Sequence, residues 1–154
     1  MARETTLVLV KPDGMRRALA GEIVARFERR GLELRGVRLL KISKPTAREH
    51  YAEHRGKPFF GSLVDFITSG PVLALAVRGE SAISVVRTMM GATNPLDSAP
   101  GTIRGDFALE TAQNLIHASD GPETAASELA LWFAPGEIVE YEREIDRWAL
   151  APEE

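Results

Sequence analysis

Apolar stretches of two different periods divide the chain. Thr5 to Val10 reads TTLVLV, β-branched and apolar throughout, which predicts a strand buried on both faces. Lys11-Pro12-Asp13-Gly14 breaks it, because proline has no N–H for a ladder and Asp-Gly is turn chemistry. From Met15 to Arg30 the period changes. Leu19, Ile23 and Phe27 recur every four residues beside Ala18, Ala20 and Val24, predicting one amphipathic helix that ends at Gly31. Leu32 to Ile42, rich in Leu and Val, predicts a second strand, and Pro45-Thr46 opens a helix through Tyr51 to about His54. A further helix is expected from Leu63 to Ser69, closed by Gly70-Pro71.

The second half repeats this alternation. Pro71 to Val77, PVLALAV, predicts a third buried strand, with Arg78-Gly79-Glu80 turning out of it. Ser81 to Met90 carries Ile83, Val86 and Met90 along one helical side. Gly91 to Asp106 has no period, and a loop beyond about 12–15 residues in a compact fold is usually functional or disordered. Its prolines and turn residues suggest a shaped loop. Phe107 to Gln113 has no clear preference. Leu115-Ile116 then runs straight into His117-Ala118-Ser119-Asp120, the profile of a strand that delivers an imidazole to a sheet edge. Gly121-Pro122-Glu123 starts a helix that continues through Ala125, Leu129 and Trp132 to Pro135-Gly136, and a charged arm ends in Trp148.

Composition narrows the classes. At 154 residues the chain has the length of one domain, 1–154, with a C-terminal arm over about 138–154. A net charge of −3 argues against a general nucleic-acid binder but not against a local basic pocket. No cysteine is present, so disulfides and thiolate chemistry are excluded. No apolar run is long enough to span a bilayer, and the N-terminus lacks a signal-peptide core, so a cytoplasmic location with no membrane partner is expected.

Several positions invite chemistry, each with a plainer reading beside it. Lys11 ends a buried strand and either finds an anion or sits in solvent. Arg87 caps a helix C-terminus or meets a ligand. Phe59, in Lys57-Pro58-Phe59-Phe60, packs in the core or offers a stacking platform. Arg104 is placed to fork onto a phosphate. His50-Tyr51-Ala52-Glu53-His54 matches a zinc-ligand spacing, but its charged neighbours look like an exposed helical face, and nothing singles out a further ligand. Together Lys11, Tyr51, Phe59, Arg87, Thr93, Arg104, Asn114, His117 and Glu128 describe a pocket for a phosphorylated flat ligand. No glycine-rich phosphate loop is present, so side chains would have to hold the phosphate.

Those stretches carry a resemblance. TLVLVKPDG at 6–14, His50-Tyr51, KPFF at 57–60, GATNPLDSAPGTIRGDF at 91–107, NLIHASD at 114–120 and ELALWF at 128–133 closely resemble nucleoside diphosphate kinase, in that family's order. The resemblance implies an α/β (α+β), ferredoxin-like βαββαβ fold: a four-stranded antiparallel sheet, helices on one face and an added helical hairpin. It implies ping-pong transfer of a γ-phosphate from a nucleoside triphosphate through the pros nitrogen of His117 to any nucleoside diphosphate. Lys11, Arg87 and Arg104 would stabilise the transferring charge, Thr93 would bind phosphate, and Asn114 with Lys11 would contact the ribose. Tyr51 would join the nucleotide-binding set and Phe59 would stack on the base. Glu128 with Ser119 would orient the imidazole. Mg2+ would be held mainly by the nucleotide phosphates, with Asp120 contributing at most through water. A homo-oligomer is implied, a hexamer or a tetramer, and the arm through Trp148 resembles those that reach a neighbouring subunit, so a hexamer is expected over a tetramer. The chain departs from the family pattern at Ala118, where glycine is usual and a methyl could restrict the backbone or crowd the phosphate. It departs also at Gly121 (usually serine) and at Val77-Arg78 (commonly tryptophan-glutamate).

Overall fold

The computed structural model describes residues 3–150. Its first strand, β1 (Arg3–Val10), is followed by α1 (Pro12–Arg16), α2 (Ala20–Arg29), β2 (Glu33–Leu40), α3 (Lys44–His50) and α4 (Phe60–Ile67). Then come β3 (Val72–Glu80), α5 (Ala82–Met90), α6 (Ile103–Phe107), β4 (Ile116–Ala118), α7 (Pro122–Trp132) and α8 (Asp146–Ala149). The strands form one antiparallel sheet in the order β2-β3-β1-β4, the expected ferredoxin-like arrangement. The added hairpin is α3 and α4.

Helices cover both faces of the sheet, where one was expected. Alternation along β1 explains this. Val8 and Val10 pack with Ile23 and Phe27 of α2, Val86 and Met90 of α5, and Ile103 of α6. Leu7 and Leu9 face the other way, onto Ala47 of α3, Val64 and Ile67 of α4, and Trp132 of α7. The Leu7–Val10 run of β1 is apolar at every position and needs two apolar layers, and the hairpin with α7 supplies the second. Leu9 pairs with His117 across β1 and β4, so the imidazole falls on the hairpin face.

Several predicted boundaries move. The helix expected over Met15–Arg30 is two, because Ala18 takes a left-handed φ of 57° and the Leu19 N–H closes back onto the Gly14 carbonyl, a Schellman-type end. Leu19 then serves as N-cap of α2, so the apolar spacing survives the break. The helix expected to reach His54 stops at His50, with a separate 3-10 turn at Ala52–His54. The next helix starts at Phe60 rather than Leu63. Arg78-Gly79-Glu80 do not turn away; they pair with Thr5, Glu4 and Arg3, since β1 begins earlier than its apolar core suggests. The unpatterned loop holds a 3-10 turn at Pro95–Asp97 and α6. The arm lies along its own sheet edge: Val139 N–H donates to the Arg35 carbonyl at 2.7 Å and Tyr141 Oη to that of Leu34 at 2.7 Å. Arg143 donates to the carbonyls of Leu32 and Gly31.

Two glycines let backbone segments meet closely. A Cβ on Gly14 would sit 2.7 Å from Val10 Cγ1 and 3.0 Å from the Leu115 carbonyl oxygen. A Cβ on Gly105 would lie 2.0 Å from the Ala99 carbonyl oxygen, so the 91–106 loop folds onto α6 only with glycine there. Gly105→Ala is therefore expected to destabilise the chain by about 1–3 kcal/mol, the usual range for overpacking. A urea midpoint equal to wild type would show that the loop yields instead.

Candidate active site

Two hydrogen bonds, one between backbone groups and one to a side chain, bring the ends of β1 and β4 together. Lys11 N–H donates to the Leu115 carbonyl at 2.9 Å, and Leu115 N–H donates to the buried Asp13 carboxylate at 3.0 Å. Leu115 has a φ of 73°, a conformation that costs an aliphatic residue roughly 1–2 kcal/mol, and the two bonds hold it there. Leu115 is thus not the start of the fourth strand, as its apolar character suggested, but a bend before it. Asp13, read from sequence as a turn former, is the residue that fixes the bend.

Above this clasp lies a cleft of about 860 Å3. Lys11, Tyr51, Phe59, Arg87, Thr93, Arg104, Asn114 and His117, every nucleotide-site residue expected from sequence, line it. Phe59 is 47% exposed rather than packed in the core, with the His54 ring 5.4 Å away and the Lys57 ammonium 5.7 Å from its centroid. Sequence reasoning missed His54 and Phe66 in the wall. Three cations and no carboxylate line the cleft, which makes it a receptor for anions.

The cations are tied in place. Lys11 Nζ donates to Asn114 Oδ1, while Asn114 Nδ2 donates to the Thr93 carbonyl at 2.9 Å. Burial lowers the Lys11 ammonium to about 8, with Asp13 opposing and Arg104 adding to the shift. Arg104 is buried, and its guanidinium donates to the carbonyls of Asn114 (3.1 Å), Ala92 (3.2 Å) and Ile116 (2.6 Å). It is less a free fork than a rivet between loop and strand that still presents its charge. Burial, then Arg87, lowers it to about 10, so it stays cationic at neutral pH. Arg87 Nη1 donates across to the Ala118 carbonyl at 3.1 Å, which is a link to β4 rather than a helix cap.

Behind His117 sits Glu128. Glu128 approaches Nε2 with both oxygens, at 3.0 and 3.2 Å, and Ser119 Oγ donates to it at 2.6 Å. Burial opposes its charge, but the bonds from His117 and Ser119 outweigh that and hold Glu128 below its ordinary value. An ionised carboxylate only accepts, so the His117 proton lies on Nε2 and Nδ1 keeps its lone pair. Asp120 does not line the cleft; it borders a separate depression with Glu4, Ser81 and Pro122.

Ala118 borders the cleft, yet neither its backbone nor its methyl is placed as expected. Its φ is not left-handed, and its methyl is buried in the apolar layer with Val8 and Val10, on the opposite face from His117. Gly121 caps α7 without a side-chain bond, where serine could have supplied one. Val77 is buried in the core, and Arg78 pairs with Thr5 and Glu33.

His50 corrects an expectation. It is buried, not part of an exposed face, and packs against Trp132 and His117 at ring separations of 5.4 and 4.7 Å. Burial, then His117, lowers it to about 3, so it is neutral. His54 points elsewhere, towards Phe59 and Lys57, which separates the two histidines of the zinc spacing. His50, His117 and Glu128 do bring ligand atoms within 4.8 Å of one another, but the Trp132 indole N–H occupies His50 Nδ1 at 3.0 Å. The signal for burial was available: His50 follows Ala47 by three, and residues so spaced share a helical face.

Comparison with known proteins agrees with this geometry. The nucleoside diphosphate kinase family model matches residues 4–138. The chain is 57% identical over 145 residues to nucleoside diphosphate kinase from Bacillus licheniformis, covering 94% of this chain and 98% of that one. It is 54% identical over 145 residues to the enzyme of that name from Archaeoglobus fulgidus, covering 94% and 96%. A solved structure of nucleoside diphosphate kinase from Halobacterium salinarum, in complex with CDP, superposes with a TM-score of 0.95 at 47% identity, covering 97% of this chain and all of the other. With the sheet order, the cationic cleft and the histidine–carboxylate pair in place, the chain belongs to the nucleoside diphosphate kinase family.

Proposed function

We propose that the protein is a nucleoside diphosphate kinase that moves the γ-phosphate of a nucleoside triphosphate to a nucleoside diphosphate through His117. The observation that carries this is the His117 ring, held by Glu128 at Nε2 with Nδ1 left for a cleft lined by Lys11, Arg87 and Arg104. The Nδ1 lone pair bonds to the γ-phosphorus as the bond to the bridging oxygen breaks, and the diphosphate leaves with that oxygen's electrons. The imidazole becomes a cation, its Nε2 proton stays against Glu128, and no separate base is needed. A second diphosphate then takes the phosphoryl group by the reverse step. Lys11, Arg87 and Arg104 stabilise the charge spread over the transferring oxygens.

Phe59 supports base stacking, which tolerates every base because each has a π-face. Thr93 and Asn114, at the Lys11 end, suit phosphate and ribose hydroxyls, and Tyr51, pushed up to about 12 by burial, remains a neutral donor. Mg2+ fits as a cation brought by the nucleotide, because the cleft itself has no carboxylate to hold one; bound there, it would neutralise charge across the phosphates. Asp120 is outside that cleft and is left with a role through water alone.

The reading of one domain carrying an arm and working in the cytoplasm accompanies this proposal. Among the described residues no helix is long and apolar enough to cross a membrane. A homo-oligomer, with a hexamer favoured over a tetramer, is supported by Trp148 at 80% exposed and by exposed Ile145, Val37 and Leu39. Sedimentation should read six copies; a monomer at micromolar concentration would overturn this part.

Incubation with γ-labelled ATP and Mg2+ should produce an acid-labile phosphoprotein that GDP discharges. The mechanism fails if wild type takes up no label or if His117→Ala labels equally well. Lys11 adds a pH test. Its folded value of about 8 lies below the ordinary 10.5, so between these values the folded state has released a proton that the unfolded state keeps, and stability rises with pH across that window. Anion binding has the opposite sign, because it needs the ammonium. Nucleotide affinity should fall by up to about tenfold per pH unit above about 8, and calorimetry near that pH should show proton uptake on binding. Affinity flat from pH 7 to 9.5 would remove Lys11 from the phosphate site.

A further inference from the structure

His50 is absorbed by none of the roles above, yet it stands against the reacting histidine. Its ring meets that of His117 edge-to-face, with centroids 4.7 Å apart and planes at 76°. Its Nδ1 lies 3.8 Å from Glu128 Oε2, the same carboxylate that orients His117. A second imidazole this close is a potential rival for Glu128. Whether it competes depends on which of its nitrogens carries the proton.

Trp132 decides that. Its indole Nε1–H, on the last residue of α7, donates to His50 Nδ1 at 3.0 Å. An indole can only donate, so Nδ1 must present its lone pair and the His50 proton lies on Nε2. Nothing else in the fold selects this tautomer: among the described residues Nε2 has no hydrogen-bond acceptor. The other tautomer would set an N–H against the indole N–H, and a small shift of the ring away from that clash would bring the new donor to Glu128 Oε2, 3.8 Å away. The charged form would do both. Trp132 is itself buried between the sheet and the hairpin, so its indole cannot swing away without opening the core.

We propose that Trp132 and His50 form a tautomer lock that reserves the Glu128 carboxylate for His117 and so keeps the His117 lone pair on Nδ1. His50 is a positioning residue here, acting through Glu128 without touching substrate. The titratable groups facing it are Glu128 from α7, His117 from β4, and Tyr51 and His54 from the turn after α3. Burial already keeps His50 neutral; the indole adds the choice between its two neutral forms, which burial alone does not make.

This inference rests on His117 as the phosphate acceptor, but its first test does not. Long-range proton–nitrogen correlation spectra of the wild-type protein should show His50 as the Nε2–H tautomer from about pH 6 to about pH 9, the range over which a free histidine would change state or tautomer. An Nδ1–H signal would overturn the lock while leaving the kinase reading intact. The second test uses variants. Trp132→Phe should slow single-turnover phosphorylation of His117 by ATP about tenfold, the scale of one hydrogen bond diverted from its partner, with nucleotide affinity within about twofold of wild type.

Adding His50→Phe to Trp132→Phe should restore most of the rate, since no imidazole N–H remains to divide Glu128 and the larger ring refills the space. A double variant no faster than the single one would show that Trp132 acts by packing alone, and would overturn the proposal. If neither variant folds, the wild-type spectrum decides. If wild type takes up no phosphate, it is the kinase reading that fails.

Discussion

Glu128 is a carboxylate removed from water beside a histidine, and most of the site follows from what is needed to keep it there. A buried charge without hydrogen-bond partners costs several kcal/mol, so the fold must bring donors to it from separate elements. Ser119 and His117 arrive from the end of β4, and Glu128 itself from the second turn of α7. The contact works only because β4 pairs with β1 in the register Leu9 to His117. A one-residue slip would send the imidazole to the opposite face, among the apolar side chains under α2 and α5.

The cleft depends on a second constraint of the same kind. Lys11 and Arg104 are cations held close together in partial burial, which is unfavourable unless something anchors them. Asn114 and four main-chain carbonyls provide the anchors. Because these carbonyls belong to Gly91, Ala92, Asn114 and Ile116, the guanidinium of Arg104 ties the long loop to the strand that carries His117. The positive potential is thus set before any phosphate enters, and little rearrangement is required when one does. Catalysis by electrostatic stabilisation works best in such a fixed environment.

Ala118 illustrates how a residue's neighbours in sequence mislead about its neighbours in space. It follows His117 directly, so a methyl there looked like an obstacle to phosphate. In a strand, adjacent side chains point to opposite faces, and the methyl lies in the core while the imidazole faces the cleft. His50 errs in the other direction. Flanked by Arg48, Glu49 and Arg55, it looked solvated, yet it is buried between Trp132 and His117 because its helix packs against α7.

Sequence by itself determined the strand and helix types, the long shaped loop, the family and the residue kinds of the cleft, since period, turn chemistry and motif are local properties. It grouped Lys11, Arg87, Thr93, Arg104, Asn114 and His117 as one candidate pocket, and these residues line one cleft. Only the tertiary structure decided how each is held there. The left-handed bend at Leu115 depends on a carboxylate 102 residues away in sequence, and the His50 tautomer on an indole 82 residues away. Both depend on hydrogen bonds made after the sheet and the hairpin have closed, and no local pattern in the chain encodes such a bond.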